Sequence, residues 1–210
     1  MEYVLITPSG RPESESMPLV VITHGRGADA NDLADIAPYL DATPGYRFLF
    51  PNAPNRWEPE PGMTFGFTWF DGLPPVPASL AAARSAVLDF LDAALKRFPT
   101  PSGKMVVGGF SQGGLMALDA GLRRNDVAGI VAMSGALYEA DLPPLRKDQR
   151  VLIVHGTFDE MINVNMARRA RRVLEDRGLD PEYHEFAMGH QVTPESLAVV
   201  SEFIRSCLAC

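Results

Sequence analysis

Gly108-Gly109-Phe110-Ser111-Gln112-Gly113-Gly114 sits where the run Lys104–Gly109 ends and a mostly apolar, helix-periodic segment, Gln112–Arg123, begins. Glycines on both sides of a serine permit a turn too tight for bulkier residues. The hydroxyl is then expected to project above the end of a strand, while the following helix aims its unbonded NH groups at the same point. A serine in such a strand-turn-helix setting is a nucleophile elbow, so Ser111 is the candidate nucleophile. The plainer alternative is a glycine-rich turn around an ordinary helix-capping serine.

Working outward from this turn, short apolar runs alternate with longer periodic segments, the pattern of strands exchanging with helices around a mostly parallel sheet. The strands are expected at Val4–Thr7, Leu19–Thr23, Arg47–Phe50, Lys104–Gly109, Gly129–Met133, Val151–His155 and Glu182–Phe186. Most are continuous Val/Ile/Leu/Phe runs, as in strands covered on both faces. Helices are expected at Asp32–Leu40, Ala78–Phe98, Gln112–Arg123, Val164–Arg177 and Pro194–Leu208, with Asp92 and Lys96 paired on the outside of the second. The fold class is therefore α/β, with helices on both faces of the sheet. Residues 52–77 break the pattern: they are rich in Pro, Gly and aromatics, among them Trp57, Phe65, Phe67, Trp69 and Phe70. A structureless loop of this length is usually functional, here either a substrate-pocket wall or an aromatic flap over the core.

A serine hydroxyl needs a neighbouring base, itself oriented by a carboxylate. In this fold class the three follow in the order Ser, Asp or Glu, His, each on a loop at the carboxyl end of a strand. Of the four histidines, only His184 and His190 come late enough. His184 lies inside the last strand, whereas His190 follows Met188-Gly189 in the loop beyond it, and His190 is the expected base. The loop leaving Val151–His155 carries Asp159, the expected acid; Glu160 is its neighbour and alternative, and Asp176 and Asp180 flank a helix end on the other side of the sheet. His24 and His155 each precede a glycine at a strand end and are expected to be structural, bonded to nearby backbone.

The loop Thr23-His24-Gly25-Arg26-Gly27 follows an early central strand, the place from which a second oxyanion donor comes. The backbone amides of Arg26 and Gln112 are the expected oxyanion hole, where losing one donor costs about 2.7–4 kcal/mol. Gly25-Arg26-Gly27-Ala28-Asp29-Ala30 also fits a dinucleotide fingerprint, and a nucleotide-binding oxidoreductase is the rival reading. The next strand, however, ends in Pro51-Asn52 with no acid to hold a ribose. No Gly-Lys-Ser/Thr follows a glycine loop, and the His and Cys residues lack zinc-ligand spacing, so neither cofactor nor metal is expected.

Composition bounds the remaining classes. Length (210 residues), 46 % hydrophobic and 21 % charged residues suit one globular domain spanning residues 1–210. A net charge of -7 argues against nucleic acid as a partner. No apolar run reaches the eighteen or so residues of a membrane span. Arg11, the first basic residue, follows the apolar Val4–Ile6, an order unlike a secretory signal, and the cytoplasm is the expected compartment. Cys207 and Cys210 formally fit a redox pair or a prenylation box but are expected to pack as small apolar groups at a helix end. The arginines of Arg168-Arg169-Ala170-Arg171-Arg172 are expected on a solvated face, with Ala170 turned inward beside Met166, Val173 and Leu174; an anion-binding patch is the alternative.

Taken together, the elbow, His24-Gly25-Arg26-Gly27-Ala28-Asp29 with Asn31-Asp32-Leu33, Trp69-Phe70-Asp71, Ser134-Gly135, His155-Gly156 through Asp159, and Gly189-His190 resemble one family. It is the phospholipase/carboxylesterase group of α/β-hydrolases, which includes acyl-protein thioesterases and small bacterial carboxylesterases, and the resemblance spans nearly the whole chain. It implies an α/β-hydrolase fold, Ser111 with Asp159 and His190 as partners, the amides of Arg26 and Gln112 as oxyanion hole, Trp69-Phe70-Asp71 near the acyl pocket, no cofactor and, in many members, a homodimer. Arg26 departs from the apolar residue common there, which leaves substrate preference open. The expected activity is cleavage of small-molecule carboxylic esters, with thioesters and lysophospholipids as further classes, through an acyl-serine intermediate. Trp69, Phe70 and Met161 are the expected substrate-binding side chains, and there is no insertion large enough for a separate cap domain. Interception of the acyl-enzyme by an alcohol or amine would make the protein an acyltransferase, and a silent hydrolase-fold binding module is the third class.

Overall fold

The computed structural model describes residues 1–41, 45–60 and 62–209. Its centre is a seven-stranded sheet in the order β1-β3-β2-β6-β7-β8-β9. These strands are β1 (Tyr3–Ile6), β2 (Leu19–Thr23), β3 (Arg47–Pro51), β6 (Met105–Phe110), β7 (Val127–Met133), β8 (Val151–Gly156) and β9 (Glu182–Phe186). Only β1, at one edge, runs antiparallel to its neighbour; the pairs from β3 through β9 are parallel. A small separate ribbon joins β4 (Asn55–Arg56) to β5 (Phe67–Thr68).

Each central strand is apolar on both sides, so the period of two sends alternate residues into two cores. Leu19, Val21, Met105, Val107, Ile130, Ala132, Val151 and Ile153 enter one core, covered by α3 (Pro77–Arg97), α4 (Gln112–Gly121) and α5 (Val164–Asp176). Val20, Ile22, Val106, Val131, Met133, Leu152 and Val154 enter the other, covered by α1 (Ala30–Ala34), α2 (Ala37–Leu40) and α6 (Pro194–Leu208). The sheet and its two helical layers are the α/β arrangement expected from the run lengths, and among the described residues no helix is long and apolar enough to cross a membrane.

Several local expectations need correction. The single helix expected over Asp32–Leu40 is two helices. Pro38 has no NH for the Ala34 carbonyl, so the chain turns at Asp35-Ile36 and restarts. Residues 52–77 are not structureless: besides the β4–β5 ribbon, Gly27 NH donates to Phe67 O at 2.8 Å and Phe67 NH to Ala28 O at 2.9 Å. The excursion thus satisfies its backbone against the loop after β2. Asp92 pairs with Arg124 at 2.7 Å, not with Lys96. Met166 is exposed while Ala170 and Leu174 are buried, and Arg168, Arg169 and Arg171 are ion-paired with Glu185, Glu139 and Glu175. Cys207, by contrast, packs as expected, as a small group against Gly129 at the end of α6, and burial pushes its thiol up to about 11. Cys210 lies outside the described residues.

Candidate active site

The site lies at the carboxyl ends of β2, β6, β8 and β9, where the loops after adjacent parallel strands diverge. Two glycine contacts make the elbow fit there. A methyl at Gly109 would lie 2.2 Å from the Gly113 carbonyl oxygen, and one at Gly113 would lie 2.1 Å from that of Thr23. Only unsubstituted α-carbons let α4 start this close to both strands. Ser111 between them has φ 58°, a backbone conformation that costs a side-chain-bearing residue of order 1–3 kcal/mol. It occupies the N-cap position of α4 but makes no cap hydrogen bond with its side chain.

Its hydroxyl is instead 2.9 Å from His190 Nε2, and His190 Nδ1 is 2.8 Å from Asp159 Oδ2. The carboxylate can only accept, so Nδ1 carries the proton in this arrangement and Nε2 is left to accept from the serine. Asp159 is closed off from solvent: Oδ1 accepts from the NH groups of Met161 (3.0 Å) and Ile162 (2.8 Å). Burial alone would raise its carboxyl. The His190 hydrogen bond and the Ile162 NH outweigh burial and hold it below the usual carboxylate range.

The two loops that carry these groups are zipped together. Thr157 NH donates to Phe186 O and Phe158 NH to Met188 O, which continues the β8–β9 pairing past the strand ends. Gly156 permits the approach, since a methyl there would meet the Met188 carbonyl oxygen at 2.3 Å. The Phe110 ring, 4.8 Å from that of His190, supports the imidazole from the elbow side. Glu160, beside Asp159, is exposed, and His184 pairs with Glu182 on the edge strand.

His24 and His155 are both buried, and burial lowers the pKa of each. His24 Nε2 accepts from Ala53 NH at 2.9 Å, so Nδ1 is the nitrogen that donates to Gly25 O at 2.7 Å. His155 Nε2 donates to Ile162 O at 2.7 Å and lies 3.5 Å from Asp159 Oδ2, which braces the loop that presents the carboxylate. Gln112 is the first residue of α4, so its NH has no partner within the helix. Arg26 follows Gly25, at which a methyl would sit 3.2 Å from Ser111 Cβ, so this loop abuts the serine.

An apolar cavity of about 100 Å³ opens beside Ser111. Phe70 and Met161 line it together with Leu73, Leu115, Ala136 and Ile162, and Arg26 and Gln112 complete the rim. Trp69, expected beside Phe70, does not line it: the indole is fully buried and donates to His24 O at 2.9 Å. Phe70 is buried in the same core as Trp69 and is the one of the pair that reaches the cavity. Met63 and Phe65, from the same aromatic segment, stay exposed.

Two side chains have positions that motif spacing alone did not disclose. The Gln112 amide accepts from Trp69 NH (2.8 Å) and donates to Phe70 O (2.7 Å). The Arg26 guanidinium donates to Gly72 O at 2.9 Å. Gln112 fastens the Phe70–Leu73 wall to the serine turn, and Arg26 fastens it to the loop after β2. The signal in the sequence was the cation at Arg26, where the family it resembles commonly has an apolar residue.

Comparisons with known proteins bear on the family and the fold. The model of the family described as phospholipase/carboxylesterase matches residues 7–208. Acyl-protein thioesterase 1 of Mycosarcoma maydis is 29 % identical over 86 % of this chain and 87 % of its own. Acyl-protein thioesterase 1 of Neurospora crassa is 32 % identical, over half of this chain and 46 % of that protein. The crystal structure of esterase PE8 superposes with a TM-score of 0.81 at 28 % identity, covering 98 % of each chain.

Proposed function

We propose that this chain, which belongs to the phospholipase/carboxylesterase family, cleaves carboxylic esters and thioesters through an acyl-serine intermediate, with Ser111 as nucleophile, His190 as base and Asp159 as its orienting partner. Family membership makes it an ester or thioester hydrolase. The observation that carries the finer assignment is the continuous chain from Ser111 Oγ to His190 Nε2 (2.9 Å) and from His190 Nδ1 to Asp159 Oδ2 (2.8 Å).

The Ser111 oxygen attacks the substrate carbonyl carbon while its proton passes to His190 Nε2. The carbonyl π pair moves to oxygen, where the amides of Arg26 and Gln112 stabilise the negative charge. Collapse expels the alkoxide or thiolate, which takes the proton from His190. Water then attacks the acyl-serine, giving a proton to His190, and the second collapse releases the acid and returns that proton to Ser111. The buried Asp159 carboxylate holds the imidazole in the tautomer this requires and stabilises its cationic form.

Ser111→Ala is expected to lower kcat on the order of a millionfold. A fluorophosphonate should add its phosphonyl group to Ser111 of the wild type, as read by peptide mass spectrometry. Wild-type hydrolysis by the variant, with no labelling of the native serine, would refute the assignment.

A further inference from the structure

The size of the cavity beside Ser111 bears on which acyl groups the protein takes, given the mechanism proposed above. His190 is not among its lining residues. A leaving group must lie against His190 Nε2 to be protonated, so it departs outside the cavity, and the acyl portion is the part left to enter. The lining is apolar, as an acyl chain requires, whereas the neighbouring cavity across Arg26 is walled by Arg56, Glu58, Thr68 and Asp71.

The volume is about 100 Å³. An engineered protein cavity of about 150 Å³ takes up benzene, which sets a scale of roughly 25 Å³ per carbon. On that scale the site holds about four carbons, and a sixteen-carbon chain would need roughly 400 Å³.

The floor and the backbone of both walls are held in place, while the Leu73 and Met161 side chains at the mouth are exposed. Leu115 on α4 and Ala136 after β7 form the floor and are buried in the core at 4 % and 8 % exposure. The Phe70–Leu73 wall is held by Gln112 Nε2 to Phe70 O at 2.7 Å and by Arg26 to Gly72 O at 2.9 Å. The opposite wall, Met161-Ile162, is held by its two NH groups on Asp159 Oδ1. Widening the site by moving the backbone of either wall would break the bonds to Gln112 and Arg26 or those to Asp159.

We infer that the protein is a short-chain acyl hydrolase whose cavity is filled by about four acyl carbons, with Leu115 and Ala136 setting that limit. The test is kcat/KM for p-nitrophenyl esters from acetate to palmitate, each below its solubility limit, with fluorophosphonate labelling of Ser111 on the same preparations. The expected result is a rise from acetate to butyrate and a fall of about tenfold or more by octanoate. Leu115→Ala should move the best substrate two to three carbons longer, and Ala136→Val should move it towards acetate. Octanoate or palmitate turned over as well as or better than butyrate by a protein whose Ser111 is labelled overturns the chain-length limit alone. Absence of labelling overturns the mechanism beneath it. Because the wild-type series decides the limit, failure of either variant to fold does not shelter it, and a folded variant with an unmoved optimum removes the floor from its role.

Discussion

At Gly27 the backbone turns with φ +80°, and a methyl there would lie 2.7 Å from two carbons of the Trp57 indole. Both facts bear on the amide just before it, since Arg26 NH is proposed to bind the oxyanion and Gly27 NH anchors Phe67 O. Gly27→Ala is therefore expected to lower kcat by about 10²–10³-fold, the loss of one such donor. Arg26→Ala keeps its backbone NH, loosens only the wall held through Gly72 and should cost less. Steady-state kinetics on the two variants checks the order, and an Arg26→Ala loss larger than that of Gly27→Ala would refute it. At this scale the sequence was informative wherever one residue type has one physical use: the glycines of both loops, and a histidine just beyond a strand rather than within it. It said less about Trp69 and Phe70, neighbours that are both buried although only Phe70 lines the cavity.

Among elements, α4 is held to α3 by a buried ion pair. Arg84 donates from Nε and Nη2 to the two oxygens of Asp119 at 2.6 and 2.9 Å, and from Nη1 to Asp141 at 2.7 Å. The Asp119 side chain is 2 % exposed, so its charge depends on this partner and on Arg123 at 3.6 Å. Arg84→Met removes the guanidinium and leaves a buried carboxylate with one distant cation, a loss of about 3–5 kcal/mol of folding stability. Urea unfolding is the measurement, and a change under about 1 kcal/mol would mean that solvent reaches Asp119. The double replacement Arg84→Met with Asp119→Leu should recover much of the loss, because an apolar pair leaves no uncompensated charge. Helix periodicity located α3 and α4 to within a residue or two, but it offered Lys96 as a partner for Asp92 where the fold supplies Arg124 from beyond α4. Intrahelical spacing is visible in sequence, and the approach of another segment is not.

For the whole molecule, acid is the condition most clearly encoded. Hydrogen bonds from Arg124, Arg169 and Arg168 hold the carboxyls of Asp126, Glu139 and Glu185 below their ordinary values, Glu185 at about 2 with help from Tyr183. Asp159 is also low, through His190 and the Ile162 NH against the opposing effect of its burial. A carboxyl lowered on folding stabilises the native state above its unfolded value, and that contribution is lost as pH falls through the folded one. Tm should therefore hold down to about pH 5 and fall steadily from about pH 4 towards 2. Calorimetry across that range is the check, and a level Tm down to about pH 2.5 would contradict the carboxyl pairing. What the sequence alone determined is local: which runs are strands, which segments are helices and where a serine turn interrupts them, since strand period, helix period and glycine sterics act within a few residues. Only the tertiary structure brought Ser111 against a histidine 79 residues away, buried Trp69 away from the cavity and left about 100 Å³ beside the serine. Those outcomes depend on how distant segments fill the space between them, and no local pattern carries that volume.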